Sequence, residues 1–299
     1  MKIKSESLPG SFGARILGCN LARDSSDEVL REIVSTFYRQ QFIVIPRQKF
    51  ELPVFDQVTK AFGHQRPHFL DHLRMQGHPS ILMLSNIYEN GRQIGIYEGA
   101  CFWHTDVAYE DPPNSATVVY AIKTTAGTPT FLADMCSAYE ALPEAMKRRV
   151  DSLIAVHHYG NREDTVEGSP TAAERLTDEQ KGRVKNVYHP LVMTHPVTGR
   201  RSLYGVAGSS FGIRGMPDDE AMSLLGELKA YATQPQFTTA HNYEPGDLVA
   251  WDTYSTLHKA PAQTPARPED PHARLLWRVS VSGVSGLIRP HQSGARCAV

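Results

Sequence analysis

Residues 246–283, GDLVAWDTYSTLHKAPAQTPARPEDPHARLLWRVSVSG, hold two β-rich runs, DLVAWDT and LLWRVSVSG, separated by a Pro-rich loop from Ala260 to His272. Aromatic and β-branched residues crowd both runs, the composition that packs best on pleated backbone. Upstream the same signal recurs in QQFIVIP, ILMLSNI, SATVVYAI, TPTFLA and the short apolar runs on both sides of Pro112 and Pro113. Helical spacing is confined to a few places. Val29, Ile33, Val34, Phe37 and Tyr38 share one face behind a capping box expected from Ser25 and Glu28. A second helix is expected over Pro53 to Phe62, with Gly63 just past its end. Others are expected over Ser137 to Ile154, interrupted by Pro143, and over Pro217 to Ala232. Strands do not alternate regularly with helices, which disfavours a doubly wound parallel sheet. The expectation is a mainly β fold with peripheral helices, an antiparallel sandwich or jelly roll. It is expected to form one domain over residues 1–299, with a mobile polar excursion over 161–185.

The chain has 299 residues, with Lys+Arg 31 against Asp+Glu 32 and a formal net charge of -1, so it lacks the basic excess of a nucleic-acid binder. No apolar run is long enough to span a bilayer, and the opening MKIKSESLPG has no apolar signal core, so a cytoplasmic protein is expected. Cys19, Cys101, Cys136 and Cys297 lie far apart without a C-x-x-C pair and read as reduced thiols. The expected partner is a small molecule, not nucleic acid or a membrane; homo-oligomerisation is left open.

The 13 histidines are scattered, so each is weighed singly. In CFWHTDVAYEDPP (101–113) His104 and Asp106 are two residues apart, and in extended backbone such residues point to the same side. His258 follows DLVAWDTYSTL just before a Pro-containing loop, where a third ligand can project. Two imidazoles and one carboxylate on one face of an octahedron leave three positions open, the requirement of an Fe(II) oxygenase. A structural zinc would be closed by four protein ligands. Such an oxygenase takes a bidentate 2-oxo acid and leaves one position for dioxygen. The distal carboxylate of that acid calls for an arginine, and Arg274 and Arg278 stand four apart in ARLLWRVSVSG.

The successive segments WHTDVAYEDPP, GTPTFLADMCSAYEALP, HPLVMTHPVTGRRSLY, GDLVAWDTYSTLH and RLLWR resemble the motifs of the taurine and 2,4-dichlorophenoxyacetate dioxygenase family. The opening GARILGCNLARDSSDEVLREIV and QQFIVIPRQ resemble that family too, so the likeness runs over roughly residues 10 to 290. It implies a double-stranded β-helix of the cupin-like kind that uses Fe(II), 2-oxoglutarate and O2 to hydroxylate small, often anionic, organic molecules. It implies His104, Asp106 and His258 as the metal triad. It also implies Thr130 and Arg278 as ligands of the distal carboxylate of 2-oxoglutarate, with Arg274 as a second arginine nearby. His68, after Phe62-Gly63, matches a substrate-anion contact of the family.

There are departures. Gly127-Thr128-Pro129-Thr130 stands where the family usually has G-G-D-T, and the loop between His258 and Arg278 is longer. A family asparagine falls on Val206, a substrate-lining aromatic on Ser209, and a polar residue four before the first metal histidine on Ala100. Asp71 and Glu98 lie near the same segments and could add negative charge. The substrate is therefore expected to carry an anionic or polar anchor, to differ in size or shape from taurine, and to be compatible with an amino-acid-like molecule. A cover over the site is expected from Tyr159 to Lys185. Competing readings are a cupin-like metal isomerase, a jelly-roll binding module, and a serine hydrolase built on Gly208-Ser209-Ser210-Phe211-Gly212 with Asp252 and His258.

Overall fold

The computed structural model describes residues 3–68, 73–96, 101–159 and 177–290. Phe42–Ile45, Leu248–Asp252, Asn114–Lys123, Leu275–Ser282 and His78–Ser85 lie side by side as the middle of the main sheet, in that order. Lys4–Ser7 and Ala14–Leu17 extend one edge and Arg74–Met75 the other, while His64–Arg66 also pairs with Leu275–Ser282. The middle strands are buried on both faces, which explains why they read as near-continuous apolar runs.

Alternation sorts their side chains. Ile43, Ile45, Val118, Tyr120, Val279 and Val281 face a core shared with Ile33 and Phe37 of the Asp27–Gln40 helix and Phe55 of the Leu52–Lys60 helix. Phe42, Val44, Val119, Trp251 and Leu276 face the other way, against Leu132. Leu132 belongs to a smaller sheet in which Thr130–Asp134 lies between Thr238–His241 and Thr256–Lys259. The jelly roll is this pair of sheets, and its inner space is where Leu276 and its same-face neighbours point. A three-stranded sheet of Val187–Pro190, Ile154–His157 and Ser210–Ile213 completes the β structure beside the Asp218–Ala232 helix.

Local expectations are corrected in several places. The first helix is preceded by Ser26, whose side chain makes no cap; the amide of Ser26 donates to Asp24 instead, so the Ser25–Glu28 box does not form. The helix expected from Ser137 begins at Met135, where the Asp134 carboxylate accepts from the amides of Cys136 and Ser137. Pro143 divides it into Met135–Glu140 and Glu144–Val150, and Ile154 already belongs to a strand. Just before Pro112 the chain forms turns and one isolated bridge rather than a strand. Within the excursion, Asp178–Arg183 is a helix with a Thr177–Gln180 capping box; residues 160–176 lie outside the described residues.

Candidate active site

His104 and His258 are joined by backbone before they are joined by chemistry. The His104 amide donates to the His258 carbonyl (3.0 Å) and the His258 amide to the His104 carbonyl (2.9 Å), an isolated antiparallel bridge that extends the smaller sheet. Their rings lie 4.1 Å apart between centroids. Asp106 reaches both, 3.6 Å from His104 Nε2 and 3.5 Å from His258 Nε2. One ligand atom from each of these three buried residues falls within 4.8 Å of the others. Adjacent ligands of an ion with bonds of about 2.1 Å lie about 3 Å apart, so the set closes on a metal with small side-chain movement.

The tautomers suit a metal. His104 Nδ1–H donates to the Phe102 carbonyl at 2.8 Å, which leaves the Nε2 lone pair for coordination. Burial, together with the nearby His104, pushes the His258 imidazole down to about 3, so it is neutral and able to donate electrons. Burial works to raise the Asp106 carboxyl, yet the Arg278 guanidinium and the two imidazoles outweigh it and hold the group well below the usual carboxylate range. The Thr117 hydroxyl donates to Asp106 Oδ2 at 2.6 Å and Arg278 Nη2 to Oδ1 at 2.7 Å. Gly208, with φ +86°, lies so close that an added Cβ would stand 2.6 Å from His104 Cβ. Val107, directly after Asp106, has φ +56°, a strained conformation for a β-branched residue.

The structure separates the two arginines. Arg274, just before the Leu275–Ser282 strand, shares the parity of 276, 278 and 280, so Arg274 and Arg278 face the jelly-roll interior with backbone positions about 13 Å apart at about 3.3 Å per residue. Arg278 contacts Asp106 and, at 3.1 Å, the Ser280 hydroxyl. Arg274 lies over the Tyr243 ring, 5.4 Å from its centroid, and the Tyr243 hydroxyl contacts Thr130 Oγ1 at 2.9 Å. Thr130 therefore stands with Arg274 across Tyr243, whereas Arg278, the expected partner of Thr130, stands at Asp106. Arg274 is 4% exposed, makes no ion pair among the described residues, and its Nε has no hydrogen-bond partner there. Burial lowers its pKa.

His68 lines a pocket beside Arg278, together with Arg66, Ser80, Glu110 and Ser280. Val206 and Ser209 are buried, and Ser209 Oγ contacts His157 Nδ1 at 3.1 Å. Ala100, Asp71 and Glu98 lie outside the described residues. The hydrolase arrangement is absent: Ser210 opens a strand rather than a helix, and the Asp252 carboxylate pairs with His195 Nε2 at 2.6 Å, not with His258. Thr117, Tyr243 and Gly208 escaped the sequence reading. Thr117 and Tyr243 carry no motif signal, and the glycine was visible only as part of the G-x-S-x-G pattern.

A jelly roll with a facial His/Asp/His set and a buried, uncompensated arginine defines a class: non-haem iron oxygenases that use a 2-oxo acid. Residues 4–280 match the taurine catabolism dioxygenase TauD, TfdA family, and the chain belongs to it. A pentalenolactone F synthase from Streptomyces arenae is 30% identical over 271 residues, 87% of this chain and 90% of that protein. The alpha-ketoglutarate-dependent 2,4-dichlorophenoxyacetate dioxygenase of Burkholderia sp. (strain RASC) is 27% identical over 270 residues, 87% of this chain and 89% of that one. Among solved structures, AAD-2 in complex with Mn(II) and N-oxalylglycine superposes with a TM-score of 0.75 at 25% identity, covering 95% of this chain and 100% of that one. The protein is an Fe(II)- and 2-oxoglutarate-dependent dioxygenase that acts on a small organic substrate with O2 as cosubstrate. Among the described residues no helix is long and apolar enough to cross a membrane.

Proposed function

We propose that this dioxygenase hydroxylates a C–H bond of a small organic acid, with His104, Asp106 and His258 as the iron ligands. The single observation behind the substrate class is the pocket next to the triad. Arg278 spends Nη2 on Asp106 and Ser280, and its Nη1 and Nε have no partner among the described residues, while His68 lines the same space. Free guanidinium donors in a partly dry pocket are a place for an anion.

The cosubstrate site is assigned by charge. A buried guanidinium without a counter-ion is costly, and a ligand carboxylate relieves that cost. Arg274, with Thr130 and Tyr243, therefore holds the distal carboxylate of 2-oxoglutarate, and Arg278 serves the metal end. This exchanges the roles expected for the two arginines. Their different neighbours support it, Tyr243 and Thr130 beside Arg274 and Asp106 beside Arg278.

When bound, iron with 2-oxoglutarate and dioxygen supplies an oxidant: the oxo acid leaves as succinate and CO2, and one oxygen atom enters the substrate C–H bond. The protein supplies geometry. The His104–His258 bridge fixes two ligands on one edge, Thr117 and Arg278 orient both oxygens of Asp106, and Arg274 and Arg278 define the two ends of the ligand space. We take residues 1–299 as one catalytic unit working in the cytoplasm on a diffusing small molecule, a reading supported by balanced charge and by Cys19 and Cys136 being free thiols. A screen of alkanoic, aryloxyalkanoic and amino acids for O2 uptake and succinate release, each dependent on both Fe(II) and 2-oxoglutarate, tests the proposal. Stimulation by organic acids is expected, and stimulation only by uncharged molecules would overturn the substrate class.

A further inference from the structure

The substrate pocket holds a second guanidinium, and its charge is already taken. Arg66, on the His64–Arg66 strand, forms an ion pair with Glu110, and both side chains line the pocket that Arg278 lines. Arg66 also donates through Nη1 to the carbonyl of Pro112. Ser280, beside Arg278 on its strand, pairs in register with Arg66, so the two guanidiniums come from neighbouring strands.

The ion pair has no evident value as a stability device. The side chains are 22% and 28% exposed, a setting in which desolvation consumes most of the attraction. Burial raises the Glu110 pKa in spite of Arg66 beside it, so the carboxylate is held there against its own solvation. The contact of Arg66 with the Pro112 carbonyl would tie down the 106–113 segment without any carboxylate at position 110. What Glu110 adds is a negative charge that cancels Arg66 inside the pocket.

We propose that Glu110 is a specificity-determining residue: by neutralising Arg66 it leaves Arg278 as the only guanidinium among the pocket's described residues open to a substrate anion and restricts the pocket to substrates with one negative group. A second carboxylate extending past Arg278 meets Glu110, and like charges side by side in a partly dry pocket repel strongly. Without the Glu110 charge the same carboxylate meets Arg66. The inference rests on the reading that Arg278 anchors a substrate anion.

The test uses the anaerobic complex of the whole protein with Fe(II) and saturating 2-oxoglutarate. Binding is read from the change in its visible absorption on titration with matched pairs, hexanoate against adipate and phenoxyacetate against 4-carboxyphenoxyacetate. The wild type is expected to bind the monoanion of a pair at least about tenfold more tightly than the dianion, the order of one lost charge-assisted contact. Glu110→Gln, which keeps the shape and a hydrogen bond to Arg66, is expected to bring that ratio to unity or below. Arg66→Gln is expected to raise it, because Glu110 is then uncompensated, and Arg66→Gln with Glu110→Gln is expected to lose the gain for dianions. A purely structural ion pair would weaken both members of a pair alike and leave the ratio unchanged, which overturns the proposal. Wild-type binding of the dianion as tightly as the monoanion also overturns it while leaving the Arg278 reading intact. If no monoanion binds the wild type, the Arg278 reading fails and this inference with it.

Discussion

Two arginines four residues apart, one just before the Leu275–Ser282 strand and one within it, sit in opposite electrostatic states. Arg278 lies 2.7 Å from the carboxylate of Asp106, a proposed metal ligand. Arg274, four residues earlier on the same face, lies on an aromatic ring with a hydroxyl pair behind it and no carboxylate among the described residues. A buried cation with its counter-charge in place can orient that partner. One without it is incomplete until a ligand brings the charge. The difference is the ground for the proposal that Arg274 receives the far end of an incoming dianion while Arg278 is shared between Asp106 and the substrate.

The most damaging way to break this comparison is to remove the carboxylate that distinguishes the two ends. Asp106→Ala, like His104→Ala or His258→Ala, is expected to abolish Fe(II)-dependent succinate release while far-UV circular dichroism stays unchanged. Retained turnover in the Asp106 variant would remove it from the triad. The next largest effect separates the arginines directly. Arg274→Gln is expected to raise the KM for 2-oxoglutarate by about 30- to 1000-fold, the worth of a charge-assisted contact of about 2 to 4 kcal/mol. Arg278→Gln is expected to act mainly on the organic substrate and on iron. Thermal melting with Mn(II) and N-oxalylglycine reads the same contrast, since Arg274→Gln should lose most of the ligand-induced rise. If Arg278→Gln shows the larger defect toward 2-oxoglutarate, the assignment made from the sequence stands and the exchange is wrong.

Smaller effects sharpen the comparison. Gly208→Ala places a methyl group where His104 Cβ already stands, 2.6 Å away in the present backbone. It is expected to weaken iron binding by about 10- to 100-fold, the usual cost of disturbing a ligand's support, with little change in the 2-oxoglutarate requirement once iron is saturating. Tyr243→Phe keeps the ring under Arg274 but deprives Thr130 of its hydroxyl partner. About 1 kcal/mol, roughly a fivefold rise in the KM for 2-oxoglutarate, is expected in steady-state assays. An unchanged KM would show that Tyr243 serves Arg274 through its ring alone.

Much of the site is legible in the sequence. The i, i+2 spacing of His104 and Asp106, and the place of His258 before the Pro-containing loop, bring all three candidate ligands into view, and the structure places their donor atoms together. His258 lies on its own short strand, Thr256–Lys259, and not on the Leu248–Asp252 strand. The apolar runs of 42–45, 115–122, 248–252 and 275–282 mark the middle of the main sheet because strands buried on both faces leave no polar alternation to confuse the reading. Helix starts are less legible. Ser25 and Glu28 have the spacing of a capping box, yet Asp24 captures the Ser26 amide, and no spacing rule weighs that competition.

By itself the sequence determined the candidate ligand types, the strand-forming runs and, through the two-residue period, the common face of Arg274 and Arg278. Only the tertiary structure decided which neighbours each arginine has, Tyr243 and Thr130 for Arg274 and Asp106 for Arg278. Thr130 pairs in register with His241, two residues before Tyr243, and the smaller sheet's packing over the main one brings both to Arg274. The His104–His258 bridge and Thr117 set Asp106 at the other end, beside Arg278. Parity along a strand is local and survives in the sequence. The distance between residues 130, 243 and 274 is fixed by how two sheets pack, to which no local period corresponds.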